Sequence, residues 1–570
     1  MKNRTLSALV CFFFMQYANA QIVNRYDVVI DEIFADPTPE IGMPALEFVE
    51  LKNISLTPLN LSGWQLNDEN STATLPDFIL QPDSFVIICG KSAAVGYASF
   101  GETLGVSSFP SLDNDGDIIF LRSPENTIIH AVSYNISWYQ NELKKAGGWT
   151  LEMIDTKNPC SGFINWKASV DITGGTPGKK NSGDGDNADE ALPKLLRAFA
   201  TDNMTISLVF DEPLNSLKTS TVANYTISDG IGMPLSATAV SPLFDKVTLI
   251  SATPLLLNKV YTITTNDLTD CAGNMIGSRN SAKFGLASVA DSFDVVINEI
   301  LFDPRPDGVD YIEIYNRSAK IVDLKQLFIA TRSTTGVISG IKQLSSESIL
   351  FFPADFVVIT EDPFVVQQQY LTTNPDAFVQ PGSTPSFPDD KGNVLILNAQ
   401  GKVVDEVKYS EKWHFALVTN KEGVSLERIG YNAPSLQANF HSASTSVGYG
   451  TPGYKNSQFR IDEQVQGEVT LTPQIFSPDN DRTDDFAMLN FNFPEPGYVA
   501  NITIFDASGR PVRYLQRNAL SGMRGSYRWD GLGEKQQKLS QGIYIIFTEI
   551  FNTSGKKKQF KNTIVLARRR

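Results

Sequence analysis

The chain has 570 residues, with 48 basic and 63 acidic side chains and a formal net charge of −15. That length sets a prior of about four domains, each large enough for its own core, and the acidity argues against a general binder of nucleic-acid backbones. Phe, Ile, Val, Thr and Tyr recur in short alternating runs punctuated by 40 Gly and 30 Pro, and no long segment carries a 3.6-residue period, so the chain is expected to be all-β.

Residues 1–20 read as a secretory signal peptide, with basic Lys2 and Arg4, an apolar stretch from Leu6 to Met15 and the small-residue ending Ala18-Asn-Ala20. Its removal takes two cations and leaves a net charge of about −17. No later apolar stretch reaches the ~18 residues that span a bilayer. The expected product has no transmembrane segment and is exported, either to the outer-membrane surface or into the medium. Cys11 leaves with the leader, so Cys89, Cys160 and Cys271 remain. An exported compartment permits disulfides, and Cys89 and Cys160 fall in one stretch whose later repeat has neither. A Cys89–Cys160 bridge is expected, with separate buried thiols as the alternative and Cys271 unpaired. With no C-x-x-C pair and no flanking His, these thiols do not make a zinc site.

The first module spans 26–182. Strands are expected at Val28 to Phe34, Ala45 to Asn53, Phe85 to Cys89, Asp117 to Arg122 and Thr127 to Tyr134, parted by turn clusters such as Pro37-Thr-Pro39 and Asp113-Asn-Asp-Gly116. In Glu47-Phe-Val-Glu-Leu51 charged and apolar residues alternate, so one face would pack inward while the carboxylates face solvent. Ile30-Asp-Glu-Ile33, Glu47-Phe-Val-Glu-Leu51, Leu61-Ser-Gly-Trp64, Leu151-Glu152 and Gly175-Thr-Pro-Gly178 together resemble the lamin tail domain. The resemblance implies an immunoglobulin-like sandwich that also occurs in exported bacterial proteins.

A polar tract, Ser182-Gly-Asp-Gly-Asp-Asn-Ala-Asp-Glu190, reads as a flexible linker over 183–191. Beyond it, 192–286 forms a smaller strand-rich unit. Its Phe210-Asp-Glu-Pro-Leu214 and Leu268-Thr-Asp-Cys-Ala-Gly-Asn274 resemble the bacterial Ig-like domains that serve as spacers in surface proteins.

The opening pattern then returns over 293–457. Tyr26-Asp-Val-Val-Ile-Asp-Glu-Ile-Phe34 is echoed by Phe293-Asp-Val-Val-Ile-Asn-Glu-Ile-Leu301, and Gly175-Thr-Pro-Gly178 by Gly450-Thr-Pro-Gly453. A period of this length is too long for a solenoid and indicates a duplicated globular module. Leu327 stands where Trp64 stood, and Asn439-Phe440 where Asn165-Trp166 stood. Such swaps keep apolar volume, as core positions do.

The last unit, 468–570, carries Phe476-Ser-Pro-Asp-Asn-Asp481, Arg528-Trp-Asp-Gly531 and Gln541-Gly-Ile-Tyr-Ile545. This order resembles the Ig-like C-terminal domains of the flagellar hook-cap type and the sorting domains of type IX secretion. The resemblance implies a terminal sandwich recognised by type IX export machinery. Lys556-Lys-Lys558, Lys561 and Arg568-Arg-Arg570 close the otherwise acidic chain with a basic stretch. The whole is expected to be a string of Ig-like β-sandwich domains.

Signals for chemistry are sparse. His130, His414 and His441 sit in unrelated contexts, and no nucleophile elbow, phosphate loop or dinucleotide fingerprint occurs. Glu32, Glu47 and Glu50, echoed by Glu299 and Glu313, would supply a cryptic carboxylate hydrolase with its acid and base. The blander reading makes them edge-strand charges that deter aggregation. Three acidic loops offer oxygens to calcium, at Asp113 to Asp117, at Asp184 to Asp189, and at Asp479, Asp481, Asp484 and Asp485, the last being the best candidate. No other cofactor is expected. Trp138 and Tyr139 are candidate glycan contacts, as in a polymer-binding subunit of a secreted degradative system. The reading these features favour is a non-enzymatic exported protein with a structural or adhesive role, whose partner is an extracellular protein or glycan and not a nucleic acid.

Overall fold

A computed structural model describes residues 23–459, 467–553 and 555–568, so the expected signal peptide lies outside the described residues. The fold is all-β. Two compact units are distinguished: the first ends at Pro254 and also takes Tyr261–Lys283, and the second holds Leu255–Val260 and the chain from Phe284 on.

In the first unit, a six-stranded sheet runs in the order Trp166–Ala168, Leu151–Met153, Val28–Phe34, Phe48–Asn53, Phe85–Gly90, Thr103–Val106, with the last pair parallel. It faces a four-stranded sheet of Ile128–Asn135, Gly116–Arg122, Gln65–Asn67 and Thr72–Thr74. Apolar side chains of both sheets, among them Val29, Leu51, Trp64, Ile88, Leu121 and Trp166, make one core. Val28–Phe34 is buried along its whole length because it is central in its sheet and covered on both faces. The Ig-like portion adds a four-stranded sheet (Leu195–Ala200, Thr205–Phe210, Lys246–Ile250, Ser236–Ala239) and a three-stranded one (Tyr225–Ile227, Tyr261–Thr265, Ser281–Phe284).

In the second unit, the module after Phe293 repeats this design. Its six-stranded sheet runs Phe378–Val379, Phe356–Thr360, Tyr311–Asn316, Val295–Leu301, Leu426–Arg428, Phe440–Ser442, again with one parallel edge pair. The facing sheet contains Ile338–Gln343, Leu327–Arg332, Val394–Asn398 and Val403–Val407. Trp64 and Leu327 are both buried, as are Trp166 and Phe440. The terminal module is a further sandwich, of three strands (Glu468–Thr472, Ala487–Asn492, Arg524–Trp529) and five (Ile475–Phe476, Lys557–Leu566, Gly542–Phe551, Val499–Asp506, Pro511–Leu520).

Two irregularities recur in both lamin-tail-like modules. Tyr26 and Phe293 enter their strands at φ 72° and 69°, a region that bulky residues seldom adopt. Arg25 lies over the Tyr26 ring and Arg317 over the Phe293 ring, each 4.6 Å from the centroid. Four residues on, a bulge interrupts the register between Ile30 and Glu32 and between Ile297 and Glu299. A bulge breaks strict alternation, and here it brings two consecutive polar residues into the interior.

The tract expected as a flexible linker is instead tied to the first module. Ser182 Oγ and Gly183 N donate to Glu152 at 2.7 and 3.0 Å, and Ser161 Oγ donates to Asp189 at 2.8 Å.

Candidate functional site

The bulge sets a row of carboxyl groups inside each lamin-tail-like module. In the first, cross-strand pairing puts Glu32 opposite Glu50 on one side and opposite Glu152 on the other, and all three are 0% exposed. The loop Gly175-Thr-Pro-Gly178 closes over them. Thr176 N and Thr150 Oγ1 donate to Glu32 at 2.7 and 2.6 Å, Thr176 Oγ1 donates to Glu152 at 2.9 Å, and Gly178 N donates to Glu50. Gly175 must lack a side chain, since a Cβ there would lie 2.7 Å from Met43 and Thr150 and 2.8 Å from Glu32, and Gly178 turns the chain at φ +77°. Asn181 fastens the far end by donating to the carbonyls of Asp31 and Met153, each at 3.0 Å.

The second module builds the same row from Glu313, Glu299 and Glu427, and there every carboxylate oxygen accepts a hydrogen bond. Tyr311 Oη, Ser425 Oγ, Thr451 N and Thr451 Oγ1 serve Glu299. Asn298 Nδ2 and Gly453 N serve Glu313 at 2.7 and 2.6 Å, while Thr451 Oγ1, Ser457 Oγ and Gln458 N serve Glu427. The first module lacks two of these donors, because Asp31 replaces Asn298 and Phe48 replaces Tyr311. Asp31 Oδ1, Glu32 Oε2 and Glu50 Oε1 are accordingly buried with no donor among the described residues.

Burial pushes Glu32 up to about 8 against the hydrogen bonds from Thr150 and Thr176. It raises Asp31 to about 7, opposed by nearby Lys52. Glu50 is raised well above the carboxylate range by burial and then by Glu32. In the second module Glu427 rises to about 8 through burial and the neighbouring Glu299. Burial thus biases these acids toward the protonated form.

This overturns the expectation that the acids are solvent-facing edge charges. Glu32, Glu50, Glu299 and Glu313 lie on central strands beneath a closed loop, where a substrate has no approach, and Glu47 is half-buried and accepts from Leu112 N at 3.3 Å. Periodicity misled because it assumed one wet face, and this sheet has none.

The disulfide also differs from expectation. Cys160 pairs with Cys271, at a Cα separation of 6.1 Å, and Cys89 is a buried free thiol. Cys89, near the end of strand Phe85–Gly90, belongs to a small apolar cluster with Phe34, Phe48 and Tyr97. The bridge joins the first module to the Ig-like portion. Beside it, Asp189, Glu212 and Asp270 gather carboxylate oxygens within 4.8 Å of one another. Asp270 accepts from Gly273 N, Asn274 N and Asn274 Nδ2, Asp189 accepts from Ala191 N, and burial together with Asp270 and Asp189 pushes Glu212 up to about 8. Glu212 and Asp270 come from the two runs that carry the Ig-like resemblance, and their meeting with Asp189 had no local signal.

Trp138 and Tyr139 are 9% and 6% exposed, part of the core with Trp166, and Tyr139 Oη donates to Trp149 O, which corrects their reading as glycan contacts. They close a one-turn helix, Ile136–Tyr139, whose inward face the short sequence run did not reveal. Asp479, Asp481 and Asp485 do come together on an exposed loop, without Asp484. Asp485 there accepts from Asn480 N and Arg482 N at 2.7 and 2.9 Å, and Asp481 accepts from Thr483 N at 2.8 Å. His130 is fully buried, accepts from Ile30 N and faces Pro159 O, and burial lowers it to about 4. His414 contacts Ser442 Oγ and is likewise lowered to about 4. No helix among the described residues is long and apolar enough to cross a membrane.

No curated protein matches the chain. Solved structures with some similarity include the N-terminal part of the bacterial S-layer protein SbsC, at 17% identity over 29% of this chain and 45% of that one with a TM-score of 0.17. The chain thus spans less than half of that structure. Others are the tetra-tandem repeat in the extending region of a large adhesion protein (11% identity, 95% and 98% covered, TM-score 0.13), and PorZ, a surface component of the type-IX secretion system of Porphyromonas gingivalis (9%, 91% and 74%, 0.15). Residues 193–285 match the model of a bacterial Ig-like domain. Residues 24–135 and 288–411 each match that of the Lamin Tail Domain, so the chain carries two lamin tail domains with an Ig-like domain between them in sequence.

Proposed function

We propose that this is an exported, non-enzymatic protein of the cell surface or medium, with a structural and adhesive role, routed by its C-terminal sandwich. The observation that carries the reading is the Cys160–Cys271 bridge between two successive domains. Such a bond persists in an oxidising, extracytoplasmic compartment, and its use here is to fix one sandwich to the next. Glu32, Glu50, Glu299 and Glu313, the acids that a carboxylate hydrolase would need, are buried beneath closed loops, and His130 and His414 are buried as well. The terminal sandwich and the basic end of an acidic chain support recognition by type IX export machinery. The extracellular partner is a protein or glycan.

The test is fractionation of cells expressing the full chain beside a version ending at Gln466, with surface proteolysis and mass measurement of the exported product. The full chain is expected at the surface or in the medium, and the shortened one in the periplasm. Equal export of both would make the last sandwich one more structural module.

A further inference from the structure

We infer that the Cys160–Cys271 bridge is a tension bypass, carrying a pull from the first lamin tail domain past the Ig-like domain and leaving the residues between the two cysteines unloaded. The bridge spans a sequence separation of 111. Inside the covalent loop lie six of the seven Ig-like strands, from Leu195–Ala200 to Tyr261–Thr265, and only Ser281–Phe284 lies outside. The loop also holds Trp166–Ala168, the edge strand of the first module's six-stranded sheet, and the Gly175–Gly178 loop that closes over Glu32 and Glu50.

Force follows covalent bonds. In a chain pulled at its ends, tension reaches Cys160, crosses the sulfurs to Cys271 and leaves through the turn after Asp270. The Asp270 carboxylate holds that turn by three hydrogen bonds, from Gly273 N, Asn274 N and Asn274 Nδ2. The exit strand, Ser281–Phe284, is the outermost of its three-stranded sheet, so it is the one Ig-like strand that a pull can peel. Without the bridge, the same pull would enter the domain at Leu195–Ala200, which is also an outermost strand, and unzip the four-stranded sheet from there. The bypass rests on the proposed surface role, in which the chain bears load.

The experiment stretches single molecules of the full mature chain by handles at both ends, in oxidising buffer and in dithiothreitol. At ~3.3–3.6 Å per extended residue, the reduced chain should unravel to a length roughly 350–400 Å greater. It should also show an unfolding step for the Ig-like domain that the oxidised chain lacks. Equal lengths in both conditions, or an oxidised chain that still gives that step, would overturn the inference. A Cys271→Ser variant should give the long form with or without reductant. Should that variant fold poorly, reduction of the wild-type chain after tethering gives the same comparison. The result is read from length and unfolding steps, so it is separate from the outcome of the fractionation.

Discussion

His130 and Asp405 occupy the same place in the two lamin tail domains and accept the same backbone bond, from Ile30 N and Ile297 N, both at 2.8 Å. The neutral imidazole does this alone, whereas the carboxylate brings a partner. Arg428, 0% exposed, donates to Asp405, to the Ile297 and Ala433 carbonyls and to Ser435 Oγ, and its counterpart in the first module is Met153. Removing one member of a buried ion pair strands the other, so Arg428→Met should cost about 3–5 kcal/mol, measured by denaturant unfolding. The row of acids supplies a second contrast. Asp31→Asn should restore the donor that Asn298 gives Glu313, stabilising the first domain at pH 8 by about 1–3 kcal/mol, and Asn298→Asp should do the reverse in the second. Because folding raises Glu32 to about 8 and Asp31 to about 7, the native state holds protons that the unfolded chain gives up near pH 4. The stability they confer is complete at acid pH and is lost as pH rises toward 8. Scanning calorimetry should therefore find the first domain's midpoint falling between pH 5 and 9, with a shallower slope in Asp31→Asn.

At the scale of elements, the bulge, the Gly-Thr-Pro-Gly loop and the asparagine after it act as a unit. Asn181 and Asn456 each bind two backbone carbonyls across the closing loop. Asn181→Ala leaves two buried carbonyls unpaired and should cost about 2 kcal/mol or more. Hydrogen exchange at the Thr176 and Gly178 amides should quicken ahead of the rest of the domain, since these are the groups released from Glu32 and Glu50. The disulfide is the other element-level device. Its loop is long, and replacing both Cys160 and Cys271 by Ser should cost about 2–5 kcal/mol, read as a lower melting temperature of the first unit.

For the whole molecule, the duplication, the all-β class and the sandwich architecture were legible in the sequence, because each rests on local information: turn residues at strand ends, strand-length apolar runs and matching landmarks such as Asn165-Trp166 and Asn439-Phe440. The interior use of Glu32, Glu50, Glu299 and Glu313 was not legible. Alternation tells which residues share a face, and the bulge plus a loop arriving 128 to 152 residues later in sequence decide whether that face is wet. The sequence also offered three cysteines without saying which two meet, since Cys89 and Cys160 were nearer in sequence while Cys160 and Cys271 are neighbours in space. Strand and turn propensities act within a few residues and so were determined by the sequence alone. Burial, protonation and crosslinking depend on what packs against a residue from afar, and only the tertiary structure decided them.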